Sequence, residues 1–420
     1  MAFDRRSLGV ATAGFAAFVN LYSPQALLPE LAREFHVGPG EISALMTAGT
    51  AAIALSAPFT GALADIAGRK RLISAAMFAA VVPMVIMTFA GSVPQLIFWR
   101  FVQGLLLPPI FAVTVAYIGD EWPPADVTRV AGLYISGSAI GGFSGRFVPG
   151  FLTDVIGWRA AFQVVALLTL LAAIIVAMTL PRERNFNRSG GLATSALQML
   201  RHLRNRRLVA TYAIGFGVLF NFVATFTYVN FHLAAPPYRF SPTLLGALFV
   251  TYLVSSPIVP WVGRAVALFG RRRFVLGVIA VWVIGALLLL APPLVLIIAG
   301  LTLCAVCGMV CQAISTGYVT LSAKEGRSSA VGLYVSIYYI GGSAGAFITG
   351  FAWTAAGWSG CVAVIVLVQV IIAAIVAATW DQRSTVEIWL CSCKRGKYRG
   401  LGKPIRFSAV DRHADRLQLD

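Results

Sequence analysis

Apolar residues fill long uninterrupted stretches of this chain, without the polar face that a helix on the surface of a soluble domain would show. A helix needs about 20 apolar residues to cross a hydrocarbon layer ~30 Å thick. Stretches of that length fall at 8–29, 42–64, 72–90, 95–118, 130–153 and 159–180, and again at 208–232, 242–269, 274–292, 294–321, 329–354 and 360–379. The pattern predicts an all-α membrane protein with twelve transmembrane helices. Polar sequence sets the boundaries: residues 1–180 form one six-helix bundle, 181–207 a basic linker, 208–380 a second bundle and 381–420 a basic tail.

Composition sharpens this picture. The chain is 58% hydrophobic and 12% charged, against about 25% charge in soluble domains, so too few polar groups exist to clothe a soluble surface. A net charge of +17 would point to nucleic acid in a soluble protein. The placement of the charge says otherwise. With the amino terminus inside, 28 of the 33 Lys and Arg fall in inner segments, whereas the outer loops hold only Arg33, Arg159 and Arg239. That bias predicts a multi-pass protein with both termini cytoplasmic, the lipid bilayer as partner and no nucleic acid. Cys304, Cys307 and Cys311 share a helical face but lack His or carboxylate company, so they read as small buried groups and no metal is expected.

The chain is written twice. Residues 132–158, GLYISGSAIGGFSGRFVPGFLTDVIGW, match 332–358, GLYVSIYYIGGSAGAFITGFAWTAAGW, without a gap at an offset of 200. Residues 61–71, GALADIAGRKR, match 263–273, GRAVALFGRRR, through Gly61/Gly263, Gly68/Gly270 and the basic triplets. Six crossings return the chain to its starting side, so the two halves are parallel repeats.

Parallel six-helix repeats with these motifs resemble the major facilitator superfamily of secondary transporters over residues 8–380. The run Gly61 to Lys70, with Asp65, Gly68 and Arg69, is similar to the superfamily's signature between the second and third helices, with Ile66 where a basic residue is usual. Arg100, Gln103 and Gly104 resemble the Arg-x-x-Gln-Gly motif of its proton-coupled drug antiporters. Pro24 to Pro29, Gly141 to Arg146 and Ala235 to Tyr238 look most like the acriflavine-sensitivity, YnfM-type branch of twelve-helix efflux permeases. The resemblance implies a monomeric transporter of the cytoplasmic (inner) membrane rather than an enzyme. It would move a small-molecule substrate by alternating access, with no cofactor and the proton gradient as energy source. Antiport export of small amphipathic solutes is the first reading, and import of a nutrient by proton symport has the same architecture.

Particular residues carry the chemistry. Arg100 and Arg146 stand inside helices, where an arginine costs at least ~2.5 kcal/mol unless it reaches a partner, a wet cavity or the headgroups; we expect them, with Gln103, to line the pathway. No carboxylate falls mid-helix, so Asp154 or Glu30, coupled to Arg146 or Arg100, is expected to carry the proton. Gly61, Asp65, Gly68, Arg69 and Lys70 form a cytoplasmic gate motif, with Asp65 latched by resemblance to the start of the eleventh helix. Asn20, Gln25, Asn221, Thr225, Tyr228, Gln312, Tyr338 and Tyr339 are the candidate substrate cavity. Gly141 and Gly145, with Gly341 and Gly345, make two close-packing faces, which serve either as surfaces that slide on the opposite half or as static packing. In the tail, Cys391 and Cys393 beside basic residues permit lipidation.

Overall fold

The computed structural model describes residues 4–183, 199, 201–255, 257–322 and 327–380; Arg184, Arg188, Lys324 and the tail with Cys391 and Cys393 lie outside them. Helix α1 is Arg5–Tyr22, α2 Ala44–Ala67, α3 Arg69–Met87 and α4 Val93–Glu121. The helical run Pro124–Thr179 holds α5 (124–156) and α6 (158–179). In the second half α7 is Arg206–Ala234, α8 covers Pro242–Phe269, α9 is Arg271–Leu288 and α10 Leu294–Ser322. The run Arg327–Thr379 holds α11 (327–355) and α12 (358–379). Helical structure thus stands at each predicted position, and no strand occurs among the described residues. Among the described residues eight stretches are long and apolar enough to cross a membrane, and two of them, 55 and 51 residues long, are double.

One glycine divides each double run. Gly157 has φ 82° and Gly357 φ 61°, in the left-handed region that side chains disfavour. The chain reverses at Gly157: Gly141 and Gly145 pass Phe15 and Val19 in the direction of α1, whereas Thr169 meets Asn20 and Thr179 meets Gly9 in the opposite direction.

Prolines account for two departures from the predicted spans. The first stretch does not run unbroken to residue 29, because Pro24 has no N–H to continue the ladder; α1 stops at Tyr22 and a 3₁₀ turn, Gln25–Leu27, leads into a short helix, Leu28–Glu34. In α8, Pro257 and Pro260 remove two donors, and regular α-helix gives way to 3₁₀ turns at Leu248–Ser255 and Val259–Trp261.

The glycine faces pack inside each half. A Cβ on Gly137, Gly141 or Gly145 would stand 2.2, 2.2 or 2.7 Å from the carbonyl oxygens of Ala11, Phe15 and Val19 on α1. Gly341 and Gly345 repeat this on α7, at 2.0 and 2.4 Å from the oxygens of Phe216 and Phe220. The sliding alternative, in which these faces move on the opposite half, is therefore corrected: they join α5 to α1 and α11 to α7. A small-xxx-small stripe says that a backbone comes close, not whose backbone it is.

Other glycines join the halves. A Cβ on Gly150 of α5 would lie 2.4 Å from the carbonyl oxygen of Pro242 at the start of α8, and one on Gly350 of α11 would lie 3.1 Å from Cα of Gly40, just before α2. A Cβ on Gly246 of α8 would lie 2.6 Å from the Arg146 carbonyl oxygen. The first two contacts are copies of each other: Gly150 and Gly350 are 200 residues apart, and Gly40 and Pro242 share the 202-residue offset of Gly61 and Gly263. Helices α2 and α11 run antiparallel, with Gly40 beside Gly350 and Thr50 Oγ1 2.8 Å from Ser343 Oγ. The seal therefore lies at the end of the bundle remote from the chain termini, the far end. Toward the termini, nothing stands within 4 Å of where a Cβ would project from Gly61, Gly132 or Gly263.

A clamp secures the far end of the first half. Glu34 accepts from the Trp158 indole at 2.6 Å and pairs with Arg159. Partial burial alone would raise the Glu34 carboxyl, but these two donors and the Arg159 charge outweigh it and hold it below its ordinary 4.5. A depressed carboxylate adds stability above its unfolded value and loses it as pH falls through the folded one. The melting temperature of the detergent-purified protein should therefore drop as pH is taken below 4.5. Glu34→Gln should flatten that drop; an unchanged profile would exclude the clamp as its source.

Candidate functional site

Arg100 is 1% exposed and has a structural task that follows from Pro24. Because Pro24 cannot donate, the carbonyl of Asn20, four residues earlier, loses its helical partner. Arg100 Nη1 donates to that oxygen at 2.8 Å and also to Gln103 Oε1, while Nη2 donates to the Leu21 carbonyl. A cation at a helix carboxyl end also meets the negative pole of the helix dipole. Gln103 Nε2 donates to Asn20 Oδ1 at 2.8 Å, and Asn20 Nδ2 to Thr169 Oγ1 at 2.8 Å, which ties α1, α4 and α6 together. Gly49 of α2 leaves room for the guanidinium, since a Cβ there would lie 3.0 Å from Arg100 Nε.

Arg146 is 3% exposed and sits differently. Its Nε donates to Gln25 Oε1 at 2.7 Å and its Nη1 to the Gly142 carbonyl at 2.7 Å. Its guanidinium carbon lies 3.6 Å from the ring centroid of Tyr22, 4.2 Å from Phe249 and 5.1 Å from Tyr252, within cation–π range. Gln25 is the hinge of this arrangement. Its side-chain amide donates across the halves to Thr227 Oγ1 at 3.3 Å, and its backbone carbonyl accepts from Asn230 Nδ2 of α7 at 2.8 Å.

Beneath this seal lies a small cavity with a water-accessible volume of about 40 Å³, walled by Tyr22, Gln25 and Arg146 from the first half and by Leu219, Phe222, Val223, Tyr252, Met309, Gln312 and Tyr338 from the second. Gln25, Arg146, Gln312 and Tyr338 were expected at a pathway. Tyr22, Tyr252 and the α7 apolar residues were not, because a pattern search for polar residues passes over rings that look like ordinary core.

The chain matches the family model described as Major Facilitator Superfamily over residues 10–258, more than half its length. This chain belongs to the major facilitator superfamily. It is 32% identical over 370 residues to the inner membrane transport protein YnfM of Escherichia coli K12, covering 88% of this chain and 89% of that one. It is 31% identical over 364 residues to an MFS-type transporter, YybF, of Bacillus subtilis 168, covering 86% and 90%. Among solved structures it shares the fold of a bacterial homologue of the human lysosomal transporter Spinster, captured inward-facing and occupied, with TM-score 0.72 at 15% identity over 90% of this chain and 96% of that one. The protein is thus a multi-pass membrane transporter.

In this superfamily member the remaining candidates are scattered. Asn221 and Thr225 of α7 are buried, and their side-chain polar atoms have no hydrogen-bond partner among the described residues. Tyr228 donates to the Ala346 carbonyl at 2.7 Å, and Tyr339 stacks on Phe111 across the halves at 5.9 Å. None of these four walls the cavity. The expected coupling of Asp154 to Arg146 is absent from this conformation. Eight residues along one helix are ~12 Å of rise and a large turn apart, and Asp154 is exposed and accepts from the Thr243 backbone N–H at 2.9 Å. Glu30 pairs with Arg33 at 2.7 Å and not with Arg100.

At the gate motif Arg69 pairs with Asp120 of α4. Glu183, which the sequence reading passed over, accepts from the Lys70 backbone N–H at 3.3 Å beside Gly68, whose φ is 86°. The side chains of Arg327 and Ser328, at the start of α11 where Asp65 was expected to latch, lie outside the described residues. Cys304, Cys307 and Cys311 are buried, and no metal-binding group of His, Cys, Asp or Glu occurs among the described residues.

Proposed function

We propose that this transporter exports small amphipathic solutes from the cytoplasm in exchange for protons, by alternating access, as a monomer in the cytoplasmic membrane with both termini inside. The observation that carries the reading is the cavity walled by both halves beneath a sealed far end. If the positive-inside bias sets the orientation, that far end faces outward, and the cavity waits for a solute from the cytoplasm. The likeness of Arg100, Gln103 and Gly104 to the drug-antiporter motif supports export.

Asp154 is our choice for the proton carrier, with Glu30 second. An ionised Asp154 accepts the Thr243 N–H and bridges α5 to α8 across the seal; protonation from outside would weaken that bond and favour opening. Asp65 is assigned to the opposite latch, made when the termini end closes.

Proteoliposomes with a trapped pH dye test the direction. With acid inside, adding a transported amphipathic solute outside should dissipate the gradient. A response only with an alkaline lumen supports proton-coupled import, and no response to either gradient removes proton coupling. Asp154→Asn should uncouple solute from proton; coupling that persists in both Asp154→Asn and Glu30→Gln would exclude the two carboxylates.

A further inference from the structure

We infer that the solute is a small aromatic carboxylate, its anionic group on Arg146 and its ring among the surrounding aromatic side chains. The inference rests on the cavity being the transport site. Arg146 is the one charged residue in the cavity wall. The ion pairs among the described residues involve Arg6, Arg33, Arg69, Arg129 and Arg159, and none involves Arg146. Its hydrogen-bond acceptors, Gln25 Oε1, the Gly142 carbonyl and the Tyr22 hydroxyl, are neutral. They orient the guanidinium and leave its charge unbalanced in a medium that penalises such a charge.

Arg100 caps the broken end of α1 and is walled from the cavity, so the fold itself explains it. Arg146 borders the cavity. Five N–H donors radiate from a guanidinium in its plane, and the hydrogen bonds to Gln25, Gly142 and Tyr22 leave two of them over. Tyr22 and Phe249 lie against the group at 3.6 and 4.2 Å, so the polar edge is the part suited to the two oxygens of a carboxylate.

The remaining wall selects the body of the ligand. Phe222, Tyr252 and Tyr338 bring aromatic rings to the wall and Gln312 a neutral amide, a surface for a flat apolar group with at most one further polar substituent. A water-accessible volume of about 40 Å³ is well below that of ordinary small-molecule sites, so the walls must part to admit a solute, and a body of one or two fused rings demands the least parting. A cationic solute would meet a positive charge that cannot be titrated away.

Thermal unfolding of the full-length purified protein with three probes of one shape tests this: 2-naphthoate, its neutral amide and the corresponding aminomethyl cation. Naphthoate at millimolar concentration should raise the melting temperature in proportion to log concentration, and the other two should not. Arg146→Gln should weaken the naphthoate effect at least about tenfold, and Arg146→Lys less, because an ammonium lacks the planar fork. Gln312→Glu keeps the arginine and places a carboxylate in the same wall, so it should also abolish the effect; it carries the test if Arg146→Gln fails to fold. No naphthoate shift, an equal shift with the amide or the cation, or a shift retained in Gln312→Glu would overturn the proposal. Naphthoate binding without any proton-linked flux would instead sink the antiport reading and leave the anion site standing.

Discussion

Gly141→Leu is expected to deplete folded protein, whereas Gly150→Leu is expected to leave it folded and locked with its far end open. Both glycines touch backbone, at 2.2 Å from the Phe15 oxygen and 2.4 Å from the Pro242 oxygen on adding a Cβ. They differ in what the neighbour belongs to. At Gly141 the neighbour is α1 of the same half, gripped also through Gly137 and Gly145, so the side chain must be accommodated in every conformation. Overpacking of that kind costs about 3 kcal/mol, and the yield of monodisperse protein should fall. At Gly150 the neighbour is the other half, and separation at the far end removes the clash. Labelling of a Thr227→Cys reporter by a membrane-impermeant maleimide should rise about tenfold, a bias of about 1.4 kcal/mol. Equal loss of folded protein in both variants would mean that the far-end contact is as permanent as the internal one.

Arg100→Leu should lower stability by about 3 kcal/mol, read as thermal unfolding in detergent. Two effects oppose each other. Removing the arginine relieves the burial of a charge, which even the mildest scale puts at ~2.5 kcal/mol. It also strips the donor from the Leu21 carbonyl and from Gln103 Oε1 and leaves the Asn20 carbonyl only the Ser23 hydroxyl, at about 1–3 kcal/mol for each orphaned group. With Asn20, Leu21 and Gln103 all buried, the second effect wins. Arg100→Lys keeps the charge but not the fork that reaches two successive carbonyls, so it should recover less than half of the loss. A neutral Arg100→Leu would show that the end of α1 needs no cap.

Part of this logic was open to reading in one dimension. The duplicated glycines and basic triplets give two halves, and Gly157 and Gly357, aligned at the repeat offset, stand where each half turns back. Pro24 lay in plain view within the first apolar stretch, and its missing N–H foretells both the break after α1 and the need for a donor there. The pairing of Asp154 with Arg146 could have been set aside on helix geometry alone. Glu183 could not have been found, because its place beside Lys70 joins residues 113 apart in sequence through the fold.

The sequence by itself determined that the chain lies in a membrane, that its helices come in two matching sets, and which few charged residues were forced into apolar surroundings. Burial, periodicity and repetition are local or translational properties, and they survive without coordinates. Only the tertiary structure decided that Arg100 is a helix cap while Arg146 borders a cavity, and that Gly141 holds one half together while Gly150 seals two halves. Those distinctions depend on which neighbour occupies the space beyond a side chain, and the spacing of residues along a helix is the same whichever neighbour it is.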